Sequence, residues 1–453
     1  MKQEQMNLRQ VVMDMLLAVT VSSDNRPLEY SHIVIRDVLN KYNYLSGQEK
    51  AFMKRLFEGT LERMIELDYC IDQYSKVKVQ KMKPVIRTIM RMSVYQILYM
   101  DAVPDSAACN EAAKLAGKKG FSTLKGFVNG VLRTIVRNKG QIPYPDKEKE
   151  FEKYLSVTYS MPMWIVNMWV EQLGKEKTQA LLEGLLAEHP VTIRLRDASV
   201  EKIKKALESQ GGMLERQVYL PYAYRIAKTD DISRLPGYEE GAFVIQDVSS
   251  MLAIEALGIK PGMKILDICA APGGKSMFAS DKLQNTGEVE ARDISEYKVS
   301  LMQDNFERCQ LQNVMAVCKD ATVLDESWIE QADIVIADVP CSGLGVIGKK
   351  RDIKYKMTPD AIKDIIVLQE QILEKAVAYV KPQGLLLFST CTINKEENEA
   401  HVKLLQEKYN MTPVSLDKTL PQMLHSDTTK QGYLQLLPGI HDTDGFFISV
   451  FQK

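Results

Sequence analysis

Residues 263–276, MKILDICAAPGGKS, run from a short apolar stretch through a loop of small residues to a Gly-Gly-Lys-Ser that opens a helix-like segment. Strand, tight loop and helix in that order begin a doubly wound α/β sheet, where ligands bind beyond the carboxyl ends of the strands. The same rhythm continues downstream. GEVEARDIS (287–295), VMAVCKDA (314–321), ADIVIADVP (332–340) and GLLLFSTC (384–391) are further short apolar runs, most of them leading into Asp or Cys. Between them lie amphipathic stretches such as EYKVSLMQDNFERC (296–309) and AIKDIIVLQEQILEKAVAYV (361–380). Regular alternation of this kind predicts a Rossmann-like parallel sheet covered on both faces, over residues 236–453.

The loop itself narrows the ligand. A Walker A loop needs glycine five positions before Gly274, where this chain has Cys269. A dinucleotide fingerprint needs glycine at the first, third and sixth positions, and the stretch Cys269 to Gly274 supplies it only at the last two. What remains is Cys269, Ala270, Ala271, Pro272, Gly273, Gly274 and Lys275 closing on a helix N-terminus, with Asp293 and Asp320 following the next two strands. Carboxylates there accept ribose hydroxyls and an adenine amino group, which suits an adenosine without a phosphate bridge. S-adenosyl-L-methionine is the expected cofactor.

Two cysteines stand just past the next two strands, Cys341 in DVPCSG and Cys391 in STCT. Neighbouring strands lie about 4.8 Å apart, so both thiols are expected in one crevice. Two thiols answer a specific chemical need. C5 of cytosine is a poor nucleophile, but a thiolate adding at C6 turns C5 into an enamine-like carbon that attacks an electrophilic methyl. The C5 proton must then leave and the thiol be expelled, and a second thiol can assist. The segment NKEEN (394–398) reads as a helix start capped by Asn394 with Glu397 three residues on, which would put positive helix-end potential near Cys391 and favour it as the attacker. Asp338 can hydrogen-bond the base edge or the cofactor's ammonium group, and Lys275 can orient Asp338 or touch the substrate.

Residues 1–140 carry apolar residues at spacings of three and four with Gly or Pro between segments, which predicts an all-α domain. The net charge of the 453-residue chain is only −1, yet residues 76–91 hold six basic residues and residues 112–139 seven, with no acid in either run. Such runs neutralise phosphates and point to RNA as partner. Residues 150–235 mix helical stretches with the strand VTIRLR (191–196) and the helix SVEKIKKALESQG (199–211), a small α+β module. Trp164 and Trp169 read as core anchors there, while Arg194 and Arg196 share one strand face and could meet phosphate. Basic KKRDIKYK (349–356), just after the Cys341 motif, could hold the RNA backbone flanking a target base.

Seven scattered cysteines without a C-x-x-C pair and five histidines without ligand spacing indicate neither a disulfide framework nor a metal site. The apolar N-terminal stretch VVMDMLLAV is too short for a membrane span and lacks a cleavage site, so a cytoplasmic protein is expected.

DICAAPGGK, DVPCSGLG and STCTINKEEN, with GAFVIQDVSS (241–250) and LQLLPGIHDTDGFF (434–447), resemble the Sun-type RNA cytosine-5 methyltransferase family across residues 160–453. IMRMSVYQILYMDAVP, CNEAAKLA and GFVNGVLRTIVRN resemble the NusB-type helical domain. Together these resemblances imply a methyltransferase acting on a cytosine of 16S ribosomal RNA, free or in a small-subunit assembly intermediate. They imply Cys391 as nucleophile, Cys341 for product release, and Cys269 to Lys275 with Asp293, Asp320 and Asp338 around S-adenosyl-L-methionine. Where the family commonly has Arg-Arg-x-Pro-Asp-Ile after Gly-Val-Ile, this chain has GKKRDIKY. Two other classes predict different things. A non-catalytic RNA-binding assembly factor would show a degraded loop or a missing cysteine, and methyl transfer to DNA or tRNA cytosine is the other alternative, the DNA chemistry making Cys341 the attacker.

Overall fold

The computed structural model describes residues 6–22, 28–188, 190–228 and 232–453. They fall into two compact units, Met1–Leu182 with Lys349–Lys356, and Glu183–Gly348 with Met357–Lys453. Among the described residues no helix is long and apolar enough to cross a membrane.

The first unit is helical: α1 (Leu8–Thr20), α2 (Ser31–Lys41), α3 (Gly47–Glu62), α4 (Met64–Tyr74), α5 (Pro84–Tyr99), α6 (Asp105–Lys118), α7 (Lys125–Arg137), α8 (Phe151–Thr158), α9 (Met163–Leu173) and the start of α10 (Lys175–Leu186). Local chemistry sets the ends. Ser46 and Glu49 form a reciprocal capping box that starts α3, and Pro84 occupies the first turn of α5, where a missing N–H costs nothing. The apolar face of α7 (Val128, Val131, Leu132, Ile135) is buried with Leu16, Phe57, Ile86 and Met90, while Lys125, Arg133 and Arg137 on its other face stay exposed. Lys76, Lys78, Lys81 and Lys83 are exposed as well. Trp169 is fully buried, an anchor as expected, and Trp164 is half-buried.

The basic run 349–356 is not the solvent-facing RNA grip its composition suggested. Lys354 is buried and donates to the carbonyls of Glu62 (2.8 Å) and Ser160 (2.7 Å). Burial lowers its pKa to about 7. Arg351 bridges Glu58 and Glu62, and Asp352 accepts from the backbone N–H and hydroxyl of Ser31. Lys356 pairs with Asp352 at 2.8 Å. These charges are held inside the helical unit, and of the run only Lys349 and Lys350 are exposed.

The second unit contains two sheets. The smaller is antiparallel, in the order β2 (Met213–Arg216), β3 (Ala223–Ala227), β1 (Val191–Leu195), β4 (Phe243–Ile245), with α11 (Val200–Glu208) beside it. Arg194 and Arg196 do share a side, but both bind Asp281, at 2.6 and 2.8 Å. Arg194 is buried over the Phe278 ring, so its charge serves packing rather than phosphate.

The larger sheet has five parallel strands in the order β9 (Val380–Thr390), β8 (Ala332–Asp338), β5 (Lys264–Asp267), β6 (Glu288–Asp293), β7 (Val314–Cys318). It is mixed, not purely parallel: β12 (Phe446–Gln452) runs antiparallel beside β9 and carries β10 (Thr412–Pro413) and β11 (Tyr433–Leu436). The helices α12 (Val248–Glu255), α13 (Gly274–Lys282), α14 (Glu296–Arg308), α15 (Pro359–Tyr379) and α16 (Glu399–Glu407) complete the unit. Strand order reverses between β5 and β8, which places the 269–274 loop and the end of β8 at the switch point.

Candidate active site

The loop after β5 is shaped by its small residues. Ala270 donates to the Arg292 carbonyl at 2.7 Å, the Ala271–Pro272 peptide is cis, and Gly273 donates back to Ala270 at 2.7 Å. Gly273 sits at φ 97°, and a Cβ there would come within 2.9 Å of the Phe306 ring. Only glycine combines that dihedral with that closeness. Gly274 then begins α13.

Three of the expected residues line one cavity of about 140 Å³: Cys269, Asp293 and Asp320, joined by Ile268, Lys298, Thr322, Pro340, Leu368 and others. Asp293 accepts from the Ser295 N–H at 3.1 Å and lies 3.5 Å from Lys298. Asp320 is held below the usual carboxylate range by the hydroxyl and N–H of Thr322. Burial, reinforced by the surrounding aspartates, raises the Cys269 thiol, so it stays protonated. An apolar slot with carboxylates at its rim has the composition to accept a base and hydroxyls. Ala270, Ala271, Pro272, Gly273 and Gly274 shape the loop beside this cavity without lining it.

Lys275 and Asp338 form an ion pair at 2.6 Å, with Ser389 donating to the other Asp338 oxygen at 2.7 Å. Lys275 also reaches Ser250 at 3.3 Å and lies over the Phe446 ring. Asp338 and Ser389 are register neighbours on β8 and β9.

The two cysteines meet. Cys341 and Cys391 bring their sulfurs to 3.2 Å without a disulfide. The shared hydrogen bond, burial and the charges of Cys391 and Glu397 raise the Cys341 pKa. A second contact locks the same turns, from Gly345 N–H to the Cys391 carbonyl at 3.0 Å.

One expectation fails here. No helix starts at Asn394: residues 395–398 form turns and α16 begins at Glu399, with no side-chain cap from Asn398. The local pattern Asn-x-x-Glu resembled a capping box, but the Glu397 carboxylate, which the Asn394 side-chain amide still reaches, is shared with Ser342 and Gln369 through tertiary contacts. The expected helix start beside Cys391 is therefore absent. Residues passed over in the sequence include Ser389 and Asp267. Asp267 is fully buried, accepts from Ser276 at 2.6 Å, and burial raises its pKa to about 7. Its place at the end of β5, inside the quoted motif, was the available signal.

The chain matches two family profiles, the 16S rRNA methyltransferase RsmB/F over residues 254–452 and the NusB family over residues 6–137. It is 34% identical to a protein of Bacillus subtilis named "Probable ribosomal RNA small subunit methyltransferase B", over 94% of this chain and 95% of that one. It is 29% identical to the ribosomal RNA small subunit methyltransferase B of Cronobacter sakazakii, over 90% and 92%. Among solved structures, PH0851 covers 100% of both chains with a TM-score of 0.79 at 23% identity, a likeness of fold. A methyltransferase homolog from Pyrococcus horikoshii covers 66% of this chain and 97% of its own, with a TM-score of 0.56 at 26% identity.

Proposed function

The chain belongs to the 16S rRNA methyltransferase RsmB/F family, and from that premise we propose that it methylates C5 of a cytosine in 16S ribosomal RNA, with Cys391 adding transiently to C6. The observation that carries the route is the 3.2 Å contact between Cys341 and Cys391, beside the Lys275–Asp338 pair.

S-adenosyl-L-methionine supplies the electrophilic methyl group. The cavity residues Asp293 and Asp320 would hold its ribose and adenine, with the loop from Cys269 to Lys275 beside them. Asp338, fixed by Lys275 and Ser389, presents a carboxylate edge to the amino group of the base. The Cys391 thiolate bonds to C6 and pushes its electrons into the ring, so C5 becomes nucleophilic and takes the methyl as the methyl–sulfonium bond would break and leave S-adenosylhomocysteine. The C5 proton then passes to solvent, and its electrons expel the C6 sulfur as the Cys391 thiolate, which restores the aromatic ring. Cys341, within hydrogen-bond reach of Cys391, assists that release.

The reading divides the chain into residues 1–140 for RNA contact, 150–235 as an adjoining module and 236–453 for catalysis. Free RNA or a small-subunit assembly intermediate is the partner. Exposed lysines at 76, 78, 81 and 83, and Lys125, Arg133 and Arg137 on α7, support the first assignment. A base in a paired helix must leave the stack to reach a thiol, so an unpaired cytosine is the favoured target.

The test is the map of 5-methylcytosine in 16S ribosomal RNA from cells with and without the chain. One cytosine should lose its methyl group in the deletion and regain it with the wild-type chain but not with Cys391→Ala. An unchanged map contradicts the assignment.

A further inference from the structure

We propose that Glu397 is a positioning residue that clamps the Cys341 turn to the Cys391 turn and so sets the distance between the two sulfurs. The inference rests on the reading above for its catalytic consequence, but not for its geometry.

Glu397 is fully buried. One carboxylate oxygen accepts from the Ser342 N–H at 2.8 Å and from the Gln369 amide at 3.3 Å. The other accepts from the Ser342 hydroxyl at 2.6 Å, the Asn394 amide at 3.1 Å and the Thr392 hydroxyl at 3.4 Å. Ser342 follows Cys341 and Thr392 follows Cys391, and their hydroxyls touch at 2.6 Å. Gln369, buried on α15, donates also to the Pro340 carbonyl at 2.9 Å, so the residues on both sides of Cys341 answer to one carboxylate network.

These donors are neutral, and a buried carboxylate so placed is tolerable only while its bonds are made. Displacing either turn unpairs it. The energy that makes Glu397 costly to bury is therefore the energy that resists separation of the thiols. Its negative charge also disfavours ionisation of Cys341.

The experiment compares wild type with Glu397→Gln and the gentler Ser342→Ala, with folding checked by thermal melting. A short bifunctional thiol reagent is applied to the RNA-free protein, and the 341–391 cross-link is quantified by peptide mapping. Steady-state methylation and the amount of covalent RNA adduct are measured in parallel. Glu397→Gln should slow cross-linking and lower kcat about 10- to 100-fold, the cost expected when a buried network is left unpaired, with the RNA KM within about twofold. Adduct should persist, since release needs both sulfurs in register. Ser342→Ala should show the same changes to a smaller degree, and decides the matter if Glu397→Gln does not fold. Wild-type cross-linking in a folded variant, or slowed cross-linking with unchanged kcat, overturns the proposal. If cross-linking slows but the wild-type protein forms no adduct with RNA, the clamp stands and the catalytic reading above falls.

Discussion

The turn after β8 and the turn after β9 each deliver one thiol to the same point, by different means. Cys391 is a single residue beyond β9, a strand paired on both sides, with Ser389 opposite Asp338 of β8 and Thr390 opposite Phe447 of β12. Its position is inherited from sheet register. Cys341 lies three residues past Asp338, in a turn that passes through Pro340 and a left-handed Gly343 at φ 69° before the chain enters the 349–356 segment. Its position depends on pins, namely Gln369 on Pro340, Glu397 on Ser342, and the close approach of Gly345 to Gly445. The proposed attacker is thus held by backbone pairing and the release thiol by side chains. The second should be easier to disturb without unfolding the chain.

The largest effect is expected where the two strands end together. Lys275→Ala leaves Asp338 with Ser389 alone and should lower kcat about 10²- to 10³-fold, the range for removing an oriented charged group, measured under single-turnover conditions. Ser389→Ala should cost less. If the two variants behave alike, the strand ends act as one unit and the contrast between the turns is weakened.

Next comes Gly345→Ala. Its Cβ would fall 2.1 Å from the Gly445 carbonyl oxygen and 2.8 Å from that of Cys391, both backbone atoms that yield little. The cost should be about 1–3 kcal/mol of stability, read from the thermal midpoint, together with slower release. Thr392→Ser, on the other turn, keeps its hydroxyl and should be near neutral.

Two buried groups, one in each unit, should also answer pH in opposite senses. Asp267 keeps its proton to about pH 7 when folded, whereas an unfolded aspartate releases it near pH 4. The stability it lends is complete at acid pH and lost as pH rises through 7. Lys354 loses its proton near pH 7 when folded but only near 10.4 when unfolded, so its burial penalty is relieved as pH rises from 7. Urea midpoints should show Asp267→Asn flattening the decline between pH 4 and 7, and Lys354→Met flattening the rise above 7.

The smallest effect belongs to the exposed charges of the helical unit. Lys125→Ala should weaken RNA binding modestly and reduce the slope of log affinity against log salt by about one. No change in that slope would separate α7 from the RNA.

Much of this arrangement was legible in the sequence because it rests on local pattern. The strand-loop-helix at 263–276, the acids closing β6 and β8, and the paired cysteine motifs follow from periodicity and loop chemistry. The five central strands fall where the apolar runs lie. What the sequence hid were long-range partners. Arg194 and Arg196 look the same in sequence whether they face phosphate or Asp281. Lys354 reads as one more basic loop residue until the carbonyls of Glu62 and Ser160 surround it. Asn394 and Glu397 have the spacing of a cap, but the carboxylate also takes two bonds from Ser342, 55 positions away. The antiparallel strand β12 was likewise missed, since FFISVF looks like any buried strand and nothing in it gives direction.

The most direct measurement is covalent adduct formation between 16S ribosomal RNA and each single-cysteine variant, resolved on a denaturing gel in the presence of S-adenosyl-L-methionine. Adduct that accumulates in Cys341→Ala and is absent from Cys391→Ala is the predicted result. Adduct that persists in Cys391→Ala and vanishes in Cys341→Ala would contradict the account and make Cys341 the attacking thiol.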